Sequence, residues 1–363
     1  MRHASHRLPV LLAALLLAAP TLEAQLENSA VLTAPTYTSL TFGSGASSRS
    51  VTQLAMPVVV ILPFGERLSV DVSTAFANST VKADDSTASE ISGLTDTQIR
   101  ANWRIGADNV LLTFGVNLPT GQYSVPESQQ EAAGQIGNDF LYYPISSMGN
   151  GLAVTGGVAY ARPFGDWNVG GGASARKSTE FAAFEVASSD FRFTPADEYR
   201  ISLNADRPVG DGALSLGLTY SVFGEDIADT TTYSTGDRII ATAGWNFPVR
   251  GSDVFLSAWN LYRLDGEILG DAAPAENVLN LAAAVSIPMN TLLLQPNIET
   301  RLWQVGGARA GNLVTAGLRL RVPVGAFGVF PSLGYSIGNL YSVVDGSGTK
   351  VSGLRASLTL RYN

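Results

Sequence analysis

Along most of the chain, apolar and polar side chains alternate with a period of two. Around Ile99, the stretch T-Q-I-R-A-N-W-R-I sets Thr97, Ile99, Ala101, Trp103 and Ile105 on one face and Gln98, Arg100, Asn102 and Arg104 on the other. The division recurs with Tyr199, Ile201 and Leu203 against Glu198, Arg200, Ser202 and Asn204. It recurs with Val314, Ala316, Leu318 and Leu320 against Thr315, Gly317, Arg319 and Arg321, and in Leu354 to Tyr362 against Arg355, Ser357, Thr359 and Arg361. Each segment runs about ten residues, the length of a tilted strand that crosses a bilayer. Such strands are expected near 35–43, 50–62, 68–78, 94–105, 110–119, 151–162, 167–177, 197–207, 213–223, 237–248, 253–263, 277–288, 291–303, 312–323, 327–341 and 351–363. That makes sixteen; the first strand is the weakest, so fourteen is the alternative.

Two kinds of connection alternate between them. Pro163, Pro208, Pro248, Pro288 and Pro323 recur at steps of 45, 40, 40 and 35 residues, each followed within three residues by Gly or Asn. Proline fixes φ at the start of a turn and lacks the N–H that a strand interior needs, so these sites read as tight turns. Long polar stretches such as 177–196 and 224–236 lie between them. One hairpin therefore spans about forty residues, a period that propellers share. A propeller blade buries both sheet faces, however, and would strand arginines spaced two apart. A soluble array of β-sandwiches is the other alternative. A closed antiparallel β-barrel in the outer membrane of a Gram-negative cell fits the faces better, with lipid outside, a wet lumen inside, short periplasmic turns and longer outer loops. Phe64, Trp103, Phe164, Trp167, Trp245, Phe247, Phe327 and Tyr362, all near the tight turns, would form the periplasmic aromatic girdle.

Composition sharpens this picture. Residues 1–24 carry Arg2 and Arg7 ahead of an apolar run from Leu8 to Ala19 and a small residue at Ala24, the pattern of a cleaved signal peptide. The barrel would then occupy 25–363. Loss of Arg2, Arg7 and Glu23 moves the formal charge from −8 to −9, which argues against a nucleic-acid partner. The chain has no cysteine, and both histidines, His3 and His6, leave with the signal. Gly334 to Gly338, "GYSIG", matches a nucleophile elbow but lacks a histidine base, so no enzymatic activity and no cofactor are expected. Acidic groups crowd the presumed outer loops: Asp84, Asp85 and Glu90; Glu180, Glu185 and Asp190; Glu225, Asp226 and Asp229; Asp265, Glu267 and Asp271. None has calcium-loop spacing, so they read as a solvated surface rather than a metal site.

Residues 94–122, "LTDTQIRANWRIGADNVLLTFGVNLPTGQ", resemble the signature of the MetA-pathway phenol-degradation family of outer-membrane proteins, which ends in a Leu-Pro-Thr-Gly step, here Leu118 to Gly121. A weaker likeness continues through residues 151–174, for a coverage of about a quarter of the chain. The resemblance implies a barrel transporter for small, often aromatic, compounds. Such barrels tend to end on an aromatic residue read by the barrel-assembly machinery; here Tyr362 is penultimate and Asn363 is last.

The inward faces would carry ten basic groups, Arg100, Arg104, Arg176, Arg200, Arg238, Arg301, Arg319, Arg321, Arg355 and Arg361, against five acidic ones, Asp71, Asp96, Glu198, Asp206 and Glu299. Residues 122–150, the longest connection, would be the third outer loop, folded into the lumen with Asp139, Phe140, Tyr142 and Tyr143 at a constriction. The expected role is passive diffusion of small solutes, aromatic or anionic. The alternative is a non-conducting structural or adhesive barrel closed by its own ion pairs. Expected surroundings are outer-membrane lipid and lipopolysaccharide, with oligomerisation left open.

Overall fold

A strand with one apolar and one polar face is satisfied only where lipid lies on one side and water on the other, and its backbone only where both edges are paired. The computed structural model describes residues 29–44, 48–83, 88–106, 109–122, 124–141, 143–186, 189–268, 270–325 and 327–362; the signal-like residues 1–24 and Tyr142 lie outside these. The chain forms sixteen antiparallel barrel strands in sequence order. The first half comprises β1 (Ala30–Thr33 and Thr36–Phe42), β2 (Arg49–Phe64), β3 (Leu68–Ala83), β4 (Ser89–Leu94 and Thr97–Ile105), β5 (Val110–Leu118), β6 (Ala153–Phe164), β7 (Trp167–Ser178) and β8 (Glu198–Val209). The second half comprises β9 (Gly212–Phe223), β10 (Arg238–Val249), β11 (Ser252–Arg263), β12 (Glu276–Met289), β13 (Leu292–Val305), β14 (Ala308–Val324), β15 (Phe327–Tyr341) and β16 (Gly348–Tyr362). Thr38 of β1 lies opposite Gln53 of β2 on one side and Arg355 of β16 on the other, so the ring closes and no edge is left open.

The structure corrects the turn chemistry. Pro163, Pro208, Pro248, Pro288 and Pro323 do not begin turns; each is the penultimate residue of its strand. The turn itself comes two residues later, where φ is positive at Gly165, Gly210, Arg250, Asn290 and Gly325. Two-residue hairpins need that left-handed geometry to match strand twist, which explains the glycine and asparagine. Proline is tolerated just before it because the neighbouring strand stops short: the last bond from β6 toward β5 is donated by the Ala161 amide, two residues before Pro163. A second correction concerns loop length. Several strands run past the expected ends, so the β13–β14 connection shrinks to Gly306 and Gly307, both at positive φ.

The eight girdle aromatics all take the outward parity at the turn end, and Trp103, Phe164 and Phe327 are among the most exposed large side chains there. Phe327 and Tyr362 touch across β15 and β16 with ring centroids 5.1 Å apart, and Trp245 packs on Phe247 at 4.3 Å. Gly334 to Gly338 lies in the middle of β15, not at a strand-to-helix turn, and Ser336 Oγ is 2.7 Å from Thr315 Oγ1 on the inner wall. At the opposite end, loop segments join into a second, five-stranded sheet. Val125 and Pro126 run parallel to Phe184 and Glu185, which hairpin with residues 189–194; these pair with residues 226–228, and those in turn with residues 231–233.

Candidate functional site

The connection from β5 to β6, residues 119–152, is the third loop at the loop end, and one carboxylate clamps both its ends. Asp96 sits in the break of β4, where the register with β3 slips by one residue between Ser79↔Ile91 and Asp71↔Arg100. That bulge turns Asp96 inward. Its oxygens accept from the Gly121 amide at 3.1 Å, the Asn150 amide at 2.7 Å and Asn117 Nδ2 at 2.8 Å. The outgoing and returning arms pass so close that a Cβ on Gly121 would stand 2.1 Å from the Met148 carbonyl oxygen and 2.7 Å from the Asp96 nitrogen. The glycine of the Leu-Pro-Thr-Gly step is thus required by backbone contact on both sides.

From this clamp the loop enters the barrel. Residues 127–133 form a short helical stretch whose backbone is held by the inner wall. Ser79 Oγ donates to the Ala132 carbonyl, while Ser89 Oγ donates to the Ser128 carbonyl and accepts from the Ala132 amide. Ala75 and Ala77 of β3 leave room for it, and Glu131 pairs with Arg49 of β2 at 3.3 Å. The loop then crosses the lumen. Phe140 is 1% exposed and stacks on Trp303 of β13 with centroids 5.3 Å apart. Arg301 Nη1 donates to the Phe140 carbonyl at 2.6 Å and Arg355 Nη2 to the Leu141 carbonyl at 3.2 Å. In a ring of sixteen, β13 stands opposite β5, from which the loop departs.

Phe140, Leu141, Tyr143, Ile145 and Met148 form one apolar cluster with Leu40, Val51, Val278, Leu313 and Val351 from the wall. Phe140 and Tyr143 are therefore buried between loop and wall instead of facing open lumen, as rings at a constriction would; Asp139 beside them is half-buried. Burial pushes the Tyr143 phenol well above its ordinary value of 10.0, against the pull of Arg355 and Arg49.

The opposite wall is bare. Three adjacent strands present small residues inward, with Gly115 and Thr113 on β5, Thr155, Gly157 and Ala159 on β6, and Gly172 and Ser174 on β7. They bound a recess of about 470 Å³ that also takes in Gln98, Arg100, Asn102, Asn117, Arg176, Glu198, Arg200 and Ser202. Arg200 Nη2 donates to Glu198 Oε1 at 2.6 Å and its Nε to Ser221 Oγ at 3.2 Å, so this pair is mutually satisfied. Asp71 accepts from Asn102 Nδ2 at 2.8 Å. Arg100 and Arg176 bring two further guanidiniums to the recess.

The remaining inward arginines take other positions. Arg104 Nη2 donates to the Glu66 carbonyl at the turn end. Arg319 and Arg321 lie over the inward-facing Phe330 ring, 4.9 and 6.0 Å from its centroid, and Arg361 is inward by register near the same end. Arg238 lies over Phe223 at 5.2 Å. Glu299 pairs with Arg301 and accepts from Asn280 Nδ2. Sequence reasoning missed Trp303, whose Nε1 donates to Glu276 at 2.6 Å, and the Arg263–Glu276 pair beside it. It also missed the inward glycines, although extending the alternation through β5, β6 and β7 puts Gly115, Gly157 and Gly172 on the lumen side.

A closed sixteen-strand barrel with an apolar outer belt, an aromatic girdle and a charged inner wall is an outer-membrane β-barrel protein of a Gram-negative bacterium. No family model and no curated protein matches the chain. Solved structures that resemble it include OmpT of Vibrio cholerae, at 10% identity and TM-score 0.44 with 92% of this chain and 97% of that one covered. Another is OccK7 of Pseudomonas aeruginosa, at 12% identity and TM-score 0.45 with 92% and 98% covered. A third is the anion-selective porin from Comamonas acidovorans, at 13% identity and TM-score 0.44 with 92% and 99% covered. At these values the likeness adds nothing to the reading of the site, which rests on its own residues.

Proposed function

We propose that the barrel is a passive channel for small solutes, with a path that runs along the β4–β8 side of the lumen. The recess of about 470 Å³ carries this reading. The third loop fills the β12–β16 and β1–β3 side, whereas the wall opposite has been reduced to glycine, alanine, serine and threonine and is lined by guanidiniums. Arginine exceeds carboxylate along the inner wall, and positive charge in a narrow, poorly solvated tube attracts anions. The channel therefore favours anionic or carboxylated solutes weakly, since the acidic outer loops oppose that field. In this reading the body of the third loop makes the constriction, and Phe140 and Tyr143 act as its anchors. Single-channel recording of the purified protein in a planar bilayer tests it: discrete conductance steps are expected, with a reversal potential in a salt gradient of the sign for anion preference. A silent barrel would leave the structural or adhesive reading instead.

A further inference from the structure

The outer loops build a second cavity of a different chemical kind. About 400 Å³ in volume, it lies between the third, fourth and fifth loops and is walled by Phe181, Phe184, Phe191, Phe193, Met148 and Tyr233. Its walls pack on one another. Phe181 meets Phe193 edge-on with centroids 5.7 Å apart, Phe184 meets Phe191 at 5.5 Å, and Phe193 stacks on Tyr233 at 6.1 Å. The backbone behind these rings is the five-stranded loop sheet, so the shape exists before any ligand arrives. Its volume falls in the range of small-molecule sites, roughly 300–1,000 Å³.

Among the described residues, no charged side chain lines this cavity; its polar members are Gln122, Ser146, Ser147 and the Tyr233 hydroxyl. Burial, and secondarily Asp226, pushes the Tyr233 phenol up to about 12, in keeping with a poorly hydrated wall. Large apolar patches open to water are rare, and where they persist they often mark a binding site. The cavity lies close to the recess. Asn117, which lines the recess, donates to the Gly151 carbonyl at 2.7 Å, and Gly151 packs so tightly on Phe181 of the cavity wall that a Cβ there would stand 2.8 Å from the ring.

We propose that this loop pocket is a capture site for small uncharged molecules with an apolar body, held at the mouth of the barrel before they enter the recess. The proposal goes beyond the channel reading, since it adds uncharged solutes to the anions that the recess favours, and it rests on that reading only for the passage inward after capture. A charged group would have to shed water against phenylalanine with no counter-charge available, so the carboxylate counterpart of a bound alcohol is disfavoured.

Equilibrium dialysis of cyclohexylmethanol against the full-length barrel in lipid nanodiscs, with empty nanodiscs as blank, reads binding without any current. Saturable uptake of one molecule per barrel is expected, at least about tenfold weaker for cyclohexanecarboxylate. Ala183→Trp should fill the pocket from its wall, and the paired change Phe184→Ser with Phe191→Ser should open it. Each should weaken binding by about tenfold or more, while heat-modifiable migration on gels checks that the barrel is folded. Arg100→Ala, in the recess, should leave binding unchanged. Uptake equal to that of empty nanodiscs, or equal in wild type and both variants, overturns the proposal. Saturable, variant-sensitive binding to a barrel that carries no current supports the pocket and overturns the channel reading alone.

Discussion

At the scale of single residues, the third loop depends on Asp96, Gly121 and Tyr143 for three different reasons. Asp96 holds two backbone amides and one side-chain amide in place of water. Asp96→Ala leaves those donors without their acceptor, at a cost on the order of 1–3 kcal/mol for each one that stays buried. We expect this variant to show noisy, larger conductance and faster proteolysis within 122–150, with Asp96→Asn in between; a quiet, wild-type trace from Asp96→Ala would remove the clamp from the mechanism. Gly121→Ala fails differently, because its new methyl meets carbonyl and amide atoms that cannot rotate away. Tyr143 contributes through its proton. The docked loop holds that proton more tightly than free tyrosine does, so docking is untouched below pH 10.0 and weakens as pH rises above it. Conductance should therefore climb reversibly on the alkaline side in wild type but not in Tyr143→Phe. Equal rises in both would assign the effect to another group.

At the scale of elements, the barrel and its inward loop were legible to different degrees. Period-two alternation exposes each strand's two faces, so the strands from β2 onward stand out, and the parity of Arg100, Arg200, Arg319 and Arg355 follows from it. β1 is less distinct because Pro35 interrupts it into two short pieces held by β2 and β16, and pairing across space leaves no periodic mark. The residues 122–150 carry no period at all. Their aromatic content marks Phe140 and Tyr143 as buried somewhere, but only the fold brings Trp303, 163 positions later in the chain, under Phe140. Proline misled for a related reason: it marks where a neighbouring strand ends, which local sequence does not state. Deleting residues 126–146 tests the loop as a unit. Gly121 and Asn150 keep their bonds to Asp96, and the strand ladder does not depend on the excised piece, so the barrel should still fold and conductance should rise several-fold. Unchanged conductance would move the constriction to the inner-wall arginines.

At the scale of the whole molecule, polarity and asymmetry arise from the same arrangement. The start of β1 at Ala30, the end of β16 at Tyr362 and seven tight turns share one end, while the loop sheet caps the other, which in outer-membrane barrels corresponds to periplasm and exterior. Cysteines at Asp229 and Asp271 should thus react with a membrane-impermeant label on intact cells, and one at Asp211 should not; the reverse pattern would invert the molecule. Across the lumen, charge is distributed as unevenly as volume. On the filled side, Arg301 and Arg355 are committed to loop carbonyls and Arg301 also to Glu299. On the open side, Arg200 is neutralised by Glu198, which leaves Arg100 and Arg176 as the guanidiniums a passing anion would meet. Arg319 and Arg321 lie over Phe330 near the turn end, away from the recess. Selectivity should accordingly be set on one wall. Replacing Arg100 and Arg176 together by Gln should carry the reversal potential toward zero, because the recess then keeps only Arg200, already paired with Glu198. Replacing Arg319 and Arg321 in the same way should shift it far less. If the second pair moved the potential as much as the first, the path would be central, and the recess between β4 and β8 would not be where solutes pass.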